Sequence, residues 1–89
     1  MIKKTIIISN AHGLHARPAS IFVRTTTQYK SEIKLSKDGM VVNGKSIMGV
    51  MMLAAERGSK IEIEINGEDE KKMIIAIEEM MNKNFYEDN

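Results

Sequence analysis

The segment from Lys60 to Asn66, KIEIEIN, constrains the fold more than any other part of the chain. Its three isoleucines alternate with two glutamates, which is the pattern of a β-strand with one buried face and one solvated face. Such a strand belongs to an antiparallel sheet that is open to water on one side and covered on the other.

Weaker patterns supply the remaining elements. Strand patterns lie at residues 2–9, 32–36 and 40–43, and an Asp38-Gly39 turn signal joins the last two. A first helical pattern lies at residues 16–27. A second lies in a short apolar stretch that has Ser46 as N-cap and that Gly58 can stop. A third follows the acidic residues 68–70. The order is therefore βαββαβα. It predicts an α+β fold with a four-stranded antiparallel sheet and three helices, two long and one short, on one face.

Length and composition bound the function. We expect residues 1–89 to form one domain, with residues 85–89 as a loose tail. The chain has no cysteine, which fits a reducing cytoplasm. A net charge of +1 and an aromatic content of 4% give no reason to expect nucleic acid binding. The first residues lack the long apolar run of a signal peptide or membrane anchor.

The segment NAHGLHARPAS, residues 10–20, places His15 immediately before the helical pattern that begins at Ala16. The first backbone N–H groups of a helix have no internal acceptor, so a helix start binds anions such as phosphate. Pro18 has no N–H and is tolerated in the first turn, so the donors are those of Ala16 and Arg17. The Arg17 guanidinium adds a planar, multi-donor contact for phosphoryl oxygens.

These residues predict a phosphoryl carrier. The positive end of a helix disfavours a protonated imidazole, which leaves a ring nitrogen of His15 able to act as a nucleophile. The chain contains neither GxxxxGKS nor GxGxxG, the glycine-rich sequences that cradle nucleotides. The phosphoryl group must therefore arrive already activated, and we predict a carrier without a cofactor rather than a kinase.

Simpler interpretations stay open at this point. His15 can be a solvent-exposed or capping residue, and Arg17 can be a solvated surface charge. His12 and His15 together suggest a metal pair, but no third ligand is close in sequence, so we predict no metal and regard His12 as flanking the site. The matching alternative function is a small anion-binding domain that is never phosphorylated.

The short helix after Ser46 carries more apolar residues than one buried face can hold. Val50, Leu53 and Ala54 share one side and are predicted to be core. Ile47, Met48, Met51 and Ala55 share another side, which is predicted to dock partners because exposed thioethers adapt to several surfaces. A covering segment or dimerisation would explain the same pattern.

Ser46 itself has two interpretations. It is a good N-cap, worth about 1 kcal/mol. It is also a candidate for regulatory phosphorylation, because a helix start tolerates a phosphate while the added charge beside Ile47 and Met48 would weaken docking.

Two segments together resemble the HPr family, the histidine-containing phosphocarriers of the bacterial phosphotransferase system. They are GLHARPAS at residues 13–20 and NGKSIMGVMMLA at residues 43–54, and the resemblance extends to about residue 84. It implies an open-faced β-sandwich, phosphorylation of His15 on Nδ1 by enzyme I with phosphoenolpyruvate as ultimate donor, and transfer to the A domains of enzyme II permeases. Arg17 matches the site arginine of the family.

The resemblance also implies a regulatory partner and a docking face. Ser46 matches the serine that an HPr kinase/phosphorylase modifies in some branches, where the product acts with a catabolite-control regulator. Ile47, Met48 and Met51 match the partner-facing patch. His12 and Met52 depart from the residues that many relatives carry, and the second motif leans toward nitrogen-related systems. A sugar carrier, a nitrogen-related carrier and a mainly regulatory module therefore all stay open, and in each case we expect a cytoplasmic monomer that is not an enzyme.

Overall fold

The computed structural model describes residues 1–11, 13–83 and 85. Seven elements follow one another in the order βαββαβα: β1 (Ile2–Ile7), α1 (Ala16–Thr26), β2 (Glu32–Lys37), β3 (Met40–Asn43), α2 (Ile47–Met52), β4 (Lys60–Asn66) and α3 (Glu70–Asn82). The predicted order and the α+β class are confirmed, and the predicted bounds of β3 and β4 are correct to the residue.

All strand pairs in the sheet are antiparallel, in the spatial order β1-β4-β2-β3. The isoleucines of β4 are buried, as are Ile33 and Leu35 on β2, and they share the face that packs against the helices. On the opposite face Glu64 pairs with Lys3 on one side and Lys34 on the other. The alternation of β4 thus determines which face is covered, as the sequence predicts.

The helices form one layer in which α1 contacts both α2 and α3. The α1–α2 pair runs antiparallel. At the end of α1, Thr26 Oγ1 donates a hydrogen bond to Gly44 O (2.8 Å) and Lys45 Nζ donates to Tyr29 O (2.7 Å), both just before α2 begins. At the start of α1, Leu14 N donates to Ala55 O (2.8 Å), beyond the end of α2.

The loop before α3 is tied to the start of β2. Asp69 is the N-cap residue of α3, but its carboxylate does not cap the helix. It accepts hydrogen bonds from the Ser31 hydroxyl and from the backbone N–H groups of Lys30 and Ser31. These bonds lower the pKa of Asp69 from 3.8 to about 2, and the bond from the Ser31 side chain has the largest effect.

Two predicted boundaries are wrong by two residues or more, and one pair of burial assignments is reversed. The strand predicted for residues 2–9 ends at Ile7, because Ile8 turns into the core and bonds instead with Gly58 and Ser59. The helix after Ser46 ends at Met52 rather than near Gly58, because Ala54 adopts a positive φ of 49°. Ala54 is consequently exposed and Ala55 is buried, the reverse of the predicted assignment.

The chain beyond α3 also differs from the prediction. Phe85, expected to open a loose tail, is 1% exposed and belongs to the hydrophobic core. An aromatic ring buries a large apolar area when the core offers it a place, and this outweighs the weak local signal of a polar C-terminal segment. The remainder of the predicted tail, residues 86–89, lies outside the described residues.

Candidate functional site

His15 stands at the start of α1 as its N-cap residue, with extended backbone angles of φ −89° and ψ −165°. Its side chain is exposed and makes no capping hydrogen bond to the helix, although its carbonyl accepts from Ala19 N at 2.9 Å. The His15 carbonyl is therefore hydrogen-bonded to the first turn of α1, while the exposed imidazole lies at the N-terminal end of the helix. His15 is thus exposed and is the N-cap residue, as the simpler interpretation predicts, although its side chain does not cap the helix.

The first turn of α1 supplies donors around this position. Ala16 and Arg17 are exposed and have no carbonyl partner within the helix for their N–H groups, and Pro18, which has no N–H, is buried. No acidic residue lies in the first turn. Among the residues that the structure describes, the Arg17 guanidinium takes part in no ion pair. The helix start thus keeps its positive character, which favours an anionic group.

The loop that carries His15 is fixed from both sides. Asn10 is buried, and its Nδ2 donates to Gly13 O at 2.9 Å while Gly13 N donates to Asn10 O at 3.3 Å. Leu14, also buried, inserts into the core. These contacts anchor Gly13 and Leu14, so the backbone that leads directly into His15 is held against the core.

A segment that sequence reasoning missed lies directly against this loop. Gly13 has a φ of +67°, and a Cβ atom there would lie 2.2 Å from Ala55 O and 2.8 Å from Glu56 Cα. The residues that follow α2 therefore form one wall of the site, with Glu56 and Arg57 exposed beside it. The glycine in the loop was the only local signal, and it does not say which distant segment approaches.

Ser46 is at the other end of the α1–α2 pair from His15. Its Oγ accepts a hydrogen bond from Gly49 N at 3.0 Å, so the predicted N-cap is confirmed. Because α1 has eleven residues, its length separates the two ends by about 16 Å. That exceeds a Debye length of about 8 Å at physiological ionic strength, so charge at Ser46 acts only weakly on His15 through solvent.

The outer side of α2 is an apolar surface of four residues: Ile47, Met48, Met51 and Met52. All four are exposed, whereas Val50 and Leu53 on the inner side are buried as predicted. We call these four residues the α2 patch. Since α2 runs antiparallel to α1, the Met51–Met52 end of the patch lies toward the His15 end of the molecule.

Several predictions concern residues or properties that the structure describes only in part. His12 lies outside the described residues. Among residues 1–11, 13–83 and 85, no group of three His, Cys, Asp or Glu side chains is arranged to hold a metal ion. No helix in those ranges has the length and apolar character required to cross a membrane.

Comparison with known proteins identifies the family. Residues 2–83 match the family model PTS-HPr, described as the phosphorylation site of the HPr component of the phosphotransferase system. The phosphocarrier protein HPr of Neisseria meningitidis serogroup A is 47% identical over 87 residues, which are 98% of each chain. The chain belongs to the HPr family.

Solved HPr structures agree with the fold. The crystal structure of HPr-C-His from Thermoanaerobacter tengcongensis superposes with a TM-score of 0.94 at 40% identity, covering 100% of both chains. The crystal structure of an HPr dimer from the same organism superposes with a TM-score of 0.77 at 41% identity, covering 98% of this chain and 100% of the other. The resemblance and the fold predicted from it are therefore confirmed. As an HPr the chain is a phosphocarrier of the phosphotransferase system and not an enzyme, and its family includes dimers.

Proposed function

We propose that this HPr accepts a phosphoryl group on Nδ1 of His15 from phosphorylated enzyme I and passes it to the A domains of enzyme II. The observation that carries the proposal is the exposed imidazole of His15 at the positive end of α1. The family description as a phosphorylation site supports it. Membership of this family also supports enzyme I and enzyme II as the partners.

The chemistry follows from the arrangement of the first turn. Nδ1 attacks phosphorus with its lone pair, a new N–P bond forms, and the bond that joins phosphorus to enzyme I breaks, its electron pair leaving with enzyme I. Phosphoryl transfer depends mainly on positioning and on stabilising charge on the phosphoryl oxygens. The N–H groups of Ala16 and Arg17 and the Arg17 guanidinium are the donors for those oxygens.

A transfer assay tests the site. Incubation with enzyme I and phosphoenolpyruvate should add about 80 Da, the mass of one phosphoryl group, in an acid-labile and alkali-stable form. His15→Ala should abolish the label, and His12→Ala, the matched histidine control, should keep it. Retention of the label by His15→Ala would end the proposal, and so would the absence of any label on the native chain, which is the result expected of a plain anion-binding domain.

Substitutions of Arg17 separate the effect of its positive charge from the effect of its planar hydrogen-bonding geometry. Arg17→Lys keeps the positive charge but loses the planar pair of donors, so we expect transfer to slow by about tenfold, and Arg17→Ala to slow it further. Equal rates for the native and both variant proteins would remove Arg17 from the site.

We also propose that Ile47, Met48 and Met51 dock both partners. Their exposure and their position beside α1 support this role. Met48→Glu should raise the KM for enzyme I, because a carboxylate would be desolvated at the interface. Ile75→Glu, at an exposed apolar residue of α3 on the other side of α1, is the control and should leave KM unchanged.

The wider assignment is a cytoplasmic monomer that folds as one domain over residues 1–89. Sedimentation at micromolar concentration tests the monomer, since relatives include a dimer. The branch of the system is tested by offering the phosphorylated protein A domains from sugar permeases and from the nitrogen-related system. The branch whose A domain accepts the phosphoryl group faster is the one to which the chain is assigned.

A second, regulatory function is supported by Ser46. This residue is half-exposed at the N-cap of α2 and adjoins Ile47 and Met48. A phosphate there would be tolerated by the helix start and would set charge at the edge of the docking surface. We propose that an HPr kinase/phosphorylase modifies Ser46 and that the product is read by a catabolite-control regulator. ATP-dependent labelling should be lost in Ser46→Ala, and labelling that persists in this variant would refute the site.

A further inference from the structure

Six of the eight methionines of this chain form two groups with opposite exposure. Met48, Met51 and Met52 on α2 are 74%, 40% and 60% exposed. Met73, Met80 and Met81 on α3 are buried in the core, with at most 9% exposure. The chain thus contains three accessible thioethers on one short helix and three shielded thioethers on another.

The geometry of α2 concentrates the accessible sulfurs. At about 100° per residue, the α2 patch spans an arc of about 140° on the helix surface. Met48 and Met52 are about one turn apart, and Met48 lies between Met51 and Met52 in angle. One side of a six-residue helix therefore presents three oxidisable sulfurs together. Met1 and Met40 are also exposed, but they lie on β1's terminus and on β3 rather than on this helix.

We propose that the α2 patch is a reversible oxidation site at which peroxide or a hypohalous acid converts Met48, Met51 and Met52 to methionine sulfoxide. With peroxide, a sulfur lone pair attacks one oxygen, the O–O bond breaks, and the products are the sulfoxide and water. The sulfur is oxidised by two electrons and the peroxide is reduced. A methionine sulfoxide reductase with a dithiol reductant reverses the change, releasing the oxygen as water and forming a disulfide in the reductant.

Oxidation changes the surface and leaves the fold intact. A sulfoxide is polar and chiral, and its oxygen is a strong hydrogen-bond acceptor that an apolar partner surface does not satisfy. The buried methionines of α3 are protected from the same reagent, so the core keeps its packing. The protein is therefore expected to remain folded while it loses docking.

This inference rests on the proposed docking role of Ile47, Met48 and Met51. One polar group left without a partner at an interface lowers affinity by about tenfold or more. We expect the oxidised protein to show at least a tenfold loss in kcat/KM for phosphorylation by enzyme I, carried mainly by KM. Treatment with the reductase should restore the native value.

The experiment uses limited peroxide treatment followed by peptide mass spectrometry, a thermal melt and the transfer assay. Sulfoxide should appear on Met48, Met51 and Met52 before Met73, Met80 and Met81, with the melting temperature essentially unchanged. The matched control is the triple variant Met48→Leu, Met51→Leu, Met52→Leu, which keeps an apolar patch. Its rate before treatment is its own reference, and it should keep that rate after peroxide, even though Met1 and Met40 still oxidise.

The outcomes separate this inference from the proposed function. If untreated protein is not phosphorylated by enzyme I, the carrier function fails, whatever the mass spectra show. If untreated protein is phosphorylated and the oxidised protein matches its rate, the oxidation proposal is overturned alone. Equal oxidation of the α2 and α3 methionines in folded protein would also overturn it, as would equal sensitivity of the native and triple-Leu proteins.

Discussion

Gly13 is the residue through which the loop that carries His15 contacts the segment after α2. The substitution Gly13→Ala tests this contact. The new methyl group would lie 2.2 Å from Ala55 O, so the two segments would have to separate by about 1 Å or more. The left-handed backbone of Gly13, φ +67°, costs a non-glycine residue about 1–2 kcal/mol by itself.

The clash adds to this backbone term. Forcing extra volume into a packed contact costs about 1–3 kcal/mol. Weakening the bond from Leu14 N to Ala55 O costs about 0.5–1.5 kcal/mol more. We therefore expect Gly13→Ala to lower the free energy of unfolding by about 2.5–6.5 kcal/mol, a large share of the roughly 5–13 kcal/mol typical of a chain of this length.

Gly39 and Gly58 are matched controls. Both have positive φ, +85° and +91°, but an added Cβ meets nothing within 4 Å at either. Gly39→Ala and Gly58→Ala should lose only the backbone term, about 1–2 kcal/mol. Urea unfolding at constant m-value measures all three variants. If Gly13→Ala costs no more than these controls, the loop does not pack on Ala55 as described.

The same substitution has a functional consequence. A displacement of about 1 Å at the loop carries the His15 backbone with it, and misplacement of that size slows a positioned reaction by up to about 100-fold. Phosphoryl transfer should therefore fall in Gly13→Ala under conditions where the variant is fully folded, and the two control variants should transfer at the native rate. Native transfer in folded Gly13→Ala would show that the position of His15 does not depend on this contact.

Three further predictions concern stability. The pKa of Asp69 is lowered to about 2, chiefly by the Ser31 hydroxyl, so its bonds stabilise the fold above pH 3.8 and are lost as pH falls through about 2. The urea midpoint of native protein should therefore fall more steeply over this interval than that of Asp69→Asn, and parallel profiles would contradict the assignment. Phe85→Ala should cost about 3–5 kcal/mol in urea unfolding, as for a buried aromatic residue, and a cost below about 1 kcal/mol would return Phe85 to a loose tail. Ser46→Ala should cost about 1 kcal/mol through loss of the cap to Gly49 N, whereas Ser46→Asp keeps an acceptor there and should be nearly neutral; equal losses would exclude a capping role.

The sequence by itself determined the elements whose signal is local. The alternation in residues 60–66 predicted β4 to the residue, because every second side chain of a strand faces the same side. His15, Ala16 and Arg17 could be assigned to a helix start for a similar reason. Donors, guanidinium and imidazole lie within three consecutive residues, and the geometry of one helical turn relates them without reference to the remainder of the chain.

Only the tertiary structure decided the features that join distant segments. Ala54 takes a positive φ and ends the second helix early, and Ala55 O then receives the bond from Leu14 N, about forty residues away in the chain. Phe85 is buried because the core offers its ring a place, not because of its neighbours in sequence. Contacts of this kind depend on how packed layers fit together. Local periodicity and turn signals carry no information about that fit, so the wall beside His15 became visible only in the folded chain.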